Sequence, residues 1–187
     1  MDDALNELGA YLADRLGPAV LSSQVALGEL TIEVEREKII PTLEFLRDDP
    51  QCRFGCLIDI CGVDWPQREK RFDVVYHLLS PKQNLRIRVK LAVADGVSVP
   101  SATSVYMGAE WFEREAWDMY GIKFEGHPDL RRIYMWEGFE GFPQRKDFPL
   151  RGYKDKLNPF GAEGPPPTQP DIATRDIPQG GRSTPGG

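Results

Sequence analysis

The chain has 187 residues, 41% of them apolar, and carries 23 Lys and Arg against 29 Asp and Glu, a formal charge of −6. That length suits one ordinary domain with an appendage and buries a core without disulfide or metal staples; the acidity argues against a general nucleic-acid binder, and no apolar run is long enough to span a bilayer. The start, Met1-Asp2-Asp3-Ala4, lacks the basic and apolar regions of a secretory signal, so the three cysteines imply a reducing, cytoplasmic setting rather than a disulfide framework.

Residues 3–16 predict a helix, with Leu5, Leu8, Leu12 and Leu16 on one stripe and Asp3 placed to cap the start. Gly17-Pro18 ends it. A short strand is expected over 20–25. The strict alternation Leu30-Thr31-Ile32-Glu33-Val34-Glu35 predicts a half-buried strand. A second helix is expected over 38–48, with Pro41 in its first turn and Ile39, Leu43 and Leu46 facing one way. Asp49-Pro50 closes it. Residues 54–63 form an almost unbroken apolar run, which predicts a strand covered on both faces. Residues 72–79 and 85–91 continue an antiparallel meander, the last strand with Leu85, Ile87, Val89 and Leu91 inward and Arg86, Arg88 and Lys90 outward. A third helix over 104–120 places Val105, Phe112, Ala116 and Met119 on its buried stripe. Gly121 suits the left-handed position that ends a helix. The order α-β-β-α-β-β-β-α predicts an α+β fold: a mixed or antiparallel sheet of about five strands with helices on one face.

From Lys123 to Tyr153 the chain carries Gly, Pro, paired charges and aromatics without periodicity. Residues 161–187 hold six Gly and six Pro, and offer too little apolar surface to offset the entropy of ordering. The organisation expected is an α+β domain over 1–122, an extended partner-binding arm over 123–160, and a Pro/Gly-rich tail over 161–187 that orders only when bound.

Few residues suggest chemistry. Cys52, Cys56 and Cys61 are spaced poorly for an iron–sulfur or zinc site, lack a fourth ligand, and in a regular strand Cys56 and Cys61 point to opposite faces. Buried apolar thiols are the better reading. Of the two histidines, His77 sits within a strand and reads as structural. His127 lies in Gly126-His127-Pro128-Asp129, the tripeptide of J-domain co-chaperones, but the two long flanking helices of that domain are missing. No nucleophile–base pair with an oxyanion site and no glycine-rich phosphate loop is present. Glu110, Arg114 and Asp118 form a charge ladder on the third helix beside Trp111, Trp117 and Tyr120, and Arg131-Arg132 and Arg145-Lys146-Asp147 follow. Forked charges among large aromatics, followed by an aperiodic arm, are the composition of a contact surface rather than an active site.

Three blocks make that surface recognisable. They are Glu113-Arg114-Glu115-Ala116-Trp117-Asp118-Met119-Tyr120-Gly121-Ile122, then Gly126-His127-Pro128-Asp129-Leu130-Arg131-Arg132-Ile133, then Arg145-Lys146-Asp147-Phe148-Pro149-Leu150. In this order they resemble the signature of the C subunit, the 30 kDa subunit family, of the proton-pumping NADH:quinone oxidoreductase, respiratory complex I. Phe142, Gln144 and the stretch Tyr134-Met135-Trp136-Glu137 are local departures from it. The resemblance covers about residues 1–155 and implies an architectural subunit of the hydrophilic arm, on the cytoplasmic side of the bacterial inner membrane. It implies no cofactor on this chain, FMN and iron–sulfur clusters being carried by other subunits. It implies docking against the quinone-site D subunit, with the iron–sulfur B and I subunits nearby, through the signature residues just quoted. Within that frame Arg131, Arg132, Arg145 and Asp147 are expected to pair across the contact. A subunit of a related membrane-bound hydrogenase, or of another ferredoxin- or coenzyme-linked relative of complex I, is the alternative, since it shares parts of the same motifs.

Overall fold

A computed structural model describes residues 2–154, 156 and 158–163. The hairpin of β1 (Val20–Ala26) and β2 (Glu29–Val34) shows how pattern becomes packing. Leu30, Ile32 and Val34 are buried, while Thr31 and Glu33, between them, lie on the other face. Helix α1 (Asp2–Leu16) covers that apolar face with Leu5, Leu8 and Leu12. The helix begins at Asp2, so Asp3 lies inside it rather than at its cap.

After β2 the chain crosses through a 3-10 turn and α2 (Ile39–Asp48) to the far side of the sheet. Ile39, Leu43 and Leu46 enter the core from α2. Three antiparallel strands then return: β3 (Cys56–Asp64), β4 (Phe72–Ser80) and β5 (Leu85–Val93). The last lands beside β2 and runs parallel to it, giving a mixed five-stranded sheet of order β1-β2-β5-β4-β3. Val74, Tyr76 and Leu78 of β4 and Ile87, Val89 and Leu91 of β5 form the centre of the core. The expected α+β class and strand number therefore hold. The opposite face is polar, with Arg88 on Glu29 and Lys90 near Glu33 and Asp73. His77 is on that face, paired with Asp59 on one side and Arg88 on the other; burial, then Arg88, holds its pKa below the ordinary value.

Two expectations for β3 are corrected. It is an edge strand, and its faces alternate between buried and half-exposed residues, so it is not covered on both sides. Its apolar content reflects packing against α3 on one face only. The strand also bulges between Leu57 and Asp59, leaving Ile58 as the extra residue. Cys56 pairs with Leu79 and Cys61 with Val75, two positions of β4 on the same face, so the bulge brings both cysteines to one side.

The third helix also differs from expectation. A 3-10 turn at Ala102–Ser104, capped by the Ser101 hydroxyl, comes first, and α3 (Ala109–Tyr120) begins only after Gly108. Two further strands of two residues each, β6 (Val99–Pro100) and β7 (Phe124–Glu125), pair in parallel and tie the start of the arm to the body. The domain boundary expected at 122 thus falls just before a strand that is joined to the body. Most of the tail expected over 161–187 lies outside the described residues.

Candidate functional site

Helix α3 turns its charges in two directions. Glu113 and Asp118 point inward and are fully buried, and Arg114 is buried as well, whereas Glu115, Trp117 and Tyr120 are partly exposed. Of the charge ladder Glu110, Arg114 and Asp118, the last two are therefore internal anchors, and Glu110 stays partly exposed.

Asp118 holds the arm. Its Oδ2 accepts the backbone N–H of Ile133 at 3.0 Å, of Tyr134 at 2.7 Å and of Met135 at 3.0 Å. Its Oδ1 accepts from Arg132 Nη1 at 2.6 Å. Burial pushes this carboxyl up, but the three N–H groups and the guanidinium outweigh it and hold the pKa below the usual carboxylate range. Arg132 also donates to the carbonyls of Phe139 and Gly141, and Trp117, Phe139 and Phe142 rings surround it. Arg114 donates to the carbonyls of Arg131 and Arg132 and stacks 4.8 Å from the Trp111 ring centroid.

His127 continues the tether. Its Nδ1 accepts the Asp129 N–H at 3.0 Å, so Nε2 carries the proton and donates to the Glu110 carbonyl at 3.0 Å. That is a positioning role, with Pro128 and Leu130 in the same turn and Leu130 packed on the core. Arg131 pairs with Asp129 at the surface.

The Arg145-Lys146-Asp147 block is clamped to loops of the sheet. Arg145 makes a forked pair with Asp95 at 2.7 and 2.9 Å and donates to the Tyr120 carbonyl, with its guanidinium over the rings of Phe72 and Phe142. Lys146 donates its backbone N–H to Asp64, and its ammonium lies over Trp65. Asp147 pairs with Arg71 at 3.0 Å, and Arg71 also makes a forked pair with the buried Asp64. Burial raises the Asp64 pKa, but Arg71 and the Lys146 N–H outweigh it and hold it low. Sequence reasoning missed Arg71, Asp64 and Asp95. Their partners lie as far as 82 residues away in sequence, at Lys146 for Asp64, so no local pattern points to them.

Arg131, Arg132, Arg145 and Asp147 therefore each have a partner within the chain. The large apolar side chains that the arm exposes are Tyr134, Trp136, Leu150 and Phe160, set among exposed charges such as Glu137, Glu140 and Arg151. Below them runs a chain of ring contacts, Trp136 to Phe139 to Phe148 to Tyr153, with centroids 4.9, 6.0 and 5.3 Å apart. Pro149 lies just before the fully exposed Leu150. Gly126, at positive φ, turns the chain out of β7 into this arm.

Glu113 is the second buried acid of α3. It accepts from Ser101 Oγ at 2.7 Å and from the Ala102 N–H at 2.6 Å, fixing the 3-10 turn before α3. Burial dominates over these bonds and pushes its pKa up to about 7. A group whose folded pKa is raised favours the protonated folded state, so its contribution is present below the ordinary glutamate range and is lost as pH rises through about 7. Glu113→Gln is expected to flatten this part of the stability–pH curve. Urea unfolding of both proteins at several pH values checks it; parallel curves would contradict the assignment.

Cys52 is buried in the core, and burial followed by Asp49 pushes its pKa up to about 12. Burial also raises Cys61. Among the described residues no group of three or more His, Cys, Asp and Glu is placed to hold a metal ion. No described helix is long and apolar enough to cross a membrane.

Comparison with known proteins agrees with this architecture. The chain is 60% identical over 176 residues to the C 2 subunit of the NADH-quinone oxidoreductase of Rhizobium etli, covering 94% of each chain. It is 62% identical to the C 2 subunit of Rhizobium meliloti over 89% of this chain and 91% of that one, and 66% identical to the C subunit of Agrobacterium fabrum over 82% and 76%. Among solved structures, a chain of the membrane-bound sulfane sulfur reductase, an archaeal respiratory membrane complex, superposes with a TM-score of 0.67 at 26% identity, covering 78% of this chain and 85% of that chain. Residues 32–154 match the family model described as respiratory-chain NADH dehydrogenase, 30 Kd subunit, and the chain belongs to that family.

Proposed function

We propose that this chain is an architectural subunit of a proton-translocating NADH:quinone oxidoreductase, holding no cofactor and performing no chemical step itself. It serves the complex by presenting the arm over 123–160 to the quinone-site D subunit, near the iron–sulfur B and I subunits, on the cytoplasmic side of the inner membrane. The observation that carries this reading is the construction of the arm. Arg132 and Arg145 are paired within the chain, which fixes its path, while Tyr134, Trp136, Leu150 and Phe160 remain outward as apolar anchors. Exposed aromatics on a rigid frame are the usual carriers of binding energy at a protein interface. The sequence relatives, named as subunits of NADH-quinone oxidoreductases, support the identity of the complex.

Affinity purification of the tagged chain from detergent-solubilised membranes is expected to bring down stoichiometric flavin- and iron–sulfur-containing NADH-oxidising subunits, with the quinone-site subunit crosslinked to the arm. The purified chain alone is expected to be colourless. The likeness to the sulfane sulfur reductase chain favours a second reading, a subunit of a related membrane-bound oxidoreductase. Recovery of a nickel-site subunit in place of the NADH-oxidising ones would establish that alternative.

A further inference from the structure

We propose that the open edge of β3 is a second docking site, one that takes up an extended, basic segment of a neighbouring subunit as an added strand; this rests on the reading of the chain as a subunit of a larger complex. Among the described residues β3 is the last strand of the sheet and pairs with β4 alone. Beside it lies a groove of about 510 Å³. Four consecutive residues of β3, Asp59 to Gly62, line that groove. Consecutive strand residues point to opposite faces, so what they jointly present is the strand's edge and its unpaired backbone groups. The facing wall is apolar, formed by Ala116 and Met119 of α3 and by Tyr134 and Met135, whose backbone N–H groups Asp118 fixes. The arm thus shapes one side of the groove without filling it.

Charge selects the occupant. Asp59 and Glu115 both line the groove, both are partly exposed, and among the described residues neither side chain has an ion pair or a side-chain hydrogen bond, Asp59 facing His77 across the strand pair. Neighbouring cations on the same sheet face are committed elsewhere, Arg88 to Glu29 and Lys90 to Glu33. An incoming strand supplies backbone hydrogen bonds along its length and one side chain in two to the groove. The fit is to a strand with a Lys or Arg between Asp59 and Glu115 and an apolar side chain two positions along, against Met119 and Met135. A second copy of this chain fits poorly, because edge-to-edge pairing would set the same carboxylates against each other. At the end of this edge the bulge leaves Ile58 outward and apolar.

The test uses the full chain in its membrane complex. A benzophenone amino acid is placed at position 58 (Ile58→p-benzoylphenylalanine) and, separately, on the arm (Trp136→p-benzoylphenylalanine), and solubilised membranes are irradiated. The expected result is a crosslink from position 58 to a single Lys- or Arg-containing peptide of another subunit. A crosslink only from position 136 overturns the edge proposal and leaves the arm reading intact. Failure at both positions overturns both, and a crosslink from position 58 to a second copy of this chain overturns the heterologous strand. In parallel, Asp59→Lys with Glu115→Lys is expected to reduce the chain retained in the complex at least tenfold, and Asp59→Asn with Glu115→Gln to reduce it less. Wild-type retention of the charge-reversed chain overturns the proposal; if that variant proves less stable when purified, the crosslink from position 58 decides alone.

Discussion

Asp118→Ala is expected to destabilise the purified chain by about 3–5 kcal/mol, the cost of leaving a buried partner charge uncompensated. The residue is fully buried and its carboxylate serves four donors, three of them backbone N–H groups of the arm. Against a total stability of about 5–15 kcal/mol this is a large share, and it falls on the segment that carries the exposed apolar anchors. Urea unfolding gives the magnitude. Amide hydrogen exchange gives the location: Ile133, Tyr134 and Met135 are expected to lose protection before the strands do. Arg132→Ala leaves the three backbone bonds in place and is expected to cost less, with a coupling to Asp118→Ala of about 0.5–3 kcal/mol in a double-mutant cycle. A cost below about 1 kcal/mol for Asp118→Ala would mean that the arm is held by something else. Because the Asp118 pKa is lowered in the fold, its contribution is present above the ordinary aspartate range and is lost as pH falls through the folded value. The arm is therefore expected to loosen in acid, while protonation of Glu113 has the opposite sign.

Gly121→Ala is expected to be strongly destabilising for a single added methyl group. Gly121 ends α3 at φ 78°, and a Cβ there would stand 2.5 and 2.6 Å from ring carbons of Phe142 and 2.9 Å from the Arg145 guanidinium. The left-handed backbone costs about 1–2 kcal/mol for a non-glycine residue, and forcing apart packed groups adds about 1–3 kcal/mol. Gly138→Ala supplies the control, since φ is 82° there and nothing lies within 4 Å of the added carbon. The difference between the two variants isolates the clash, which displaces Phe142 and strains the Arg145–Asp95 pair. Thermal unfolding measures the difference, and limited proteolysis over 123–154 reports release of the arm. Equal effects at the two glycines would show that the arm does not need this close approach.

These two positions mark how far the sequence reaches. Gly121 was legible as a helix end because the left-handed cap is a local requirement, satisfied within one turn of chain. The alternation of Leu30, Ile32 and Val34 was legible for the same reason, since the face of a strand is set by its own period of two. The three signature blocks were legible as a family resemblance, and all three lie within the residues 32–154 that the family model matches. Which way Asp118 and Glu113 point was less accessible. The Glu110, Arg114, Asp118 spacing reads equally as a solvated ladder, and only the arm folding back over α3 converts it into an internal clamp.

By itself, then, the chain's pattern determined the class of fold, the number and chain order of the main strands, the apolar stripes of the first two helices and the family to which the protein belongs. Each of these follows from contacts within a few residues or from a string of residues read in order. The tertiary structure alone decided that β3 stands at an edge with a bulge at Ile58, that β6 and β7 meet, and that Arg145 finds Asp95 and Lys146 finds Asp64. Those outcomes depend on closing loops of roughly 25 to 80 residues, and a charge or a strand edge does not carry in its own neighbourhood the identity of the distant group that meets it.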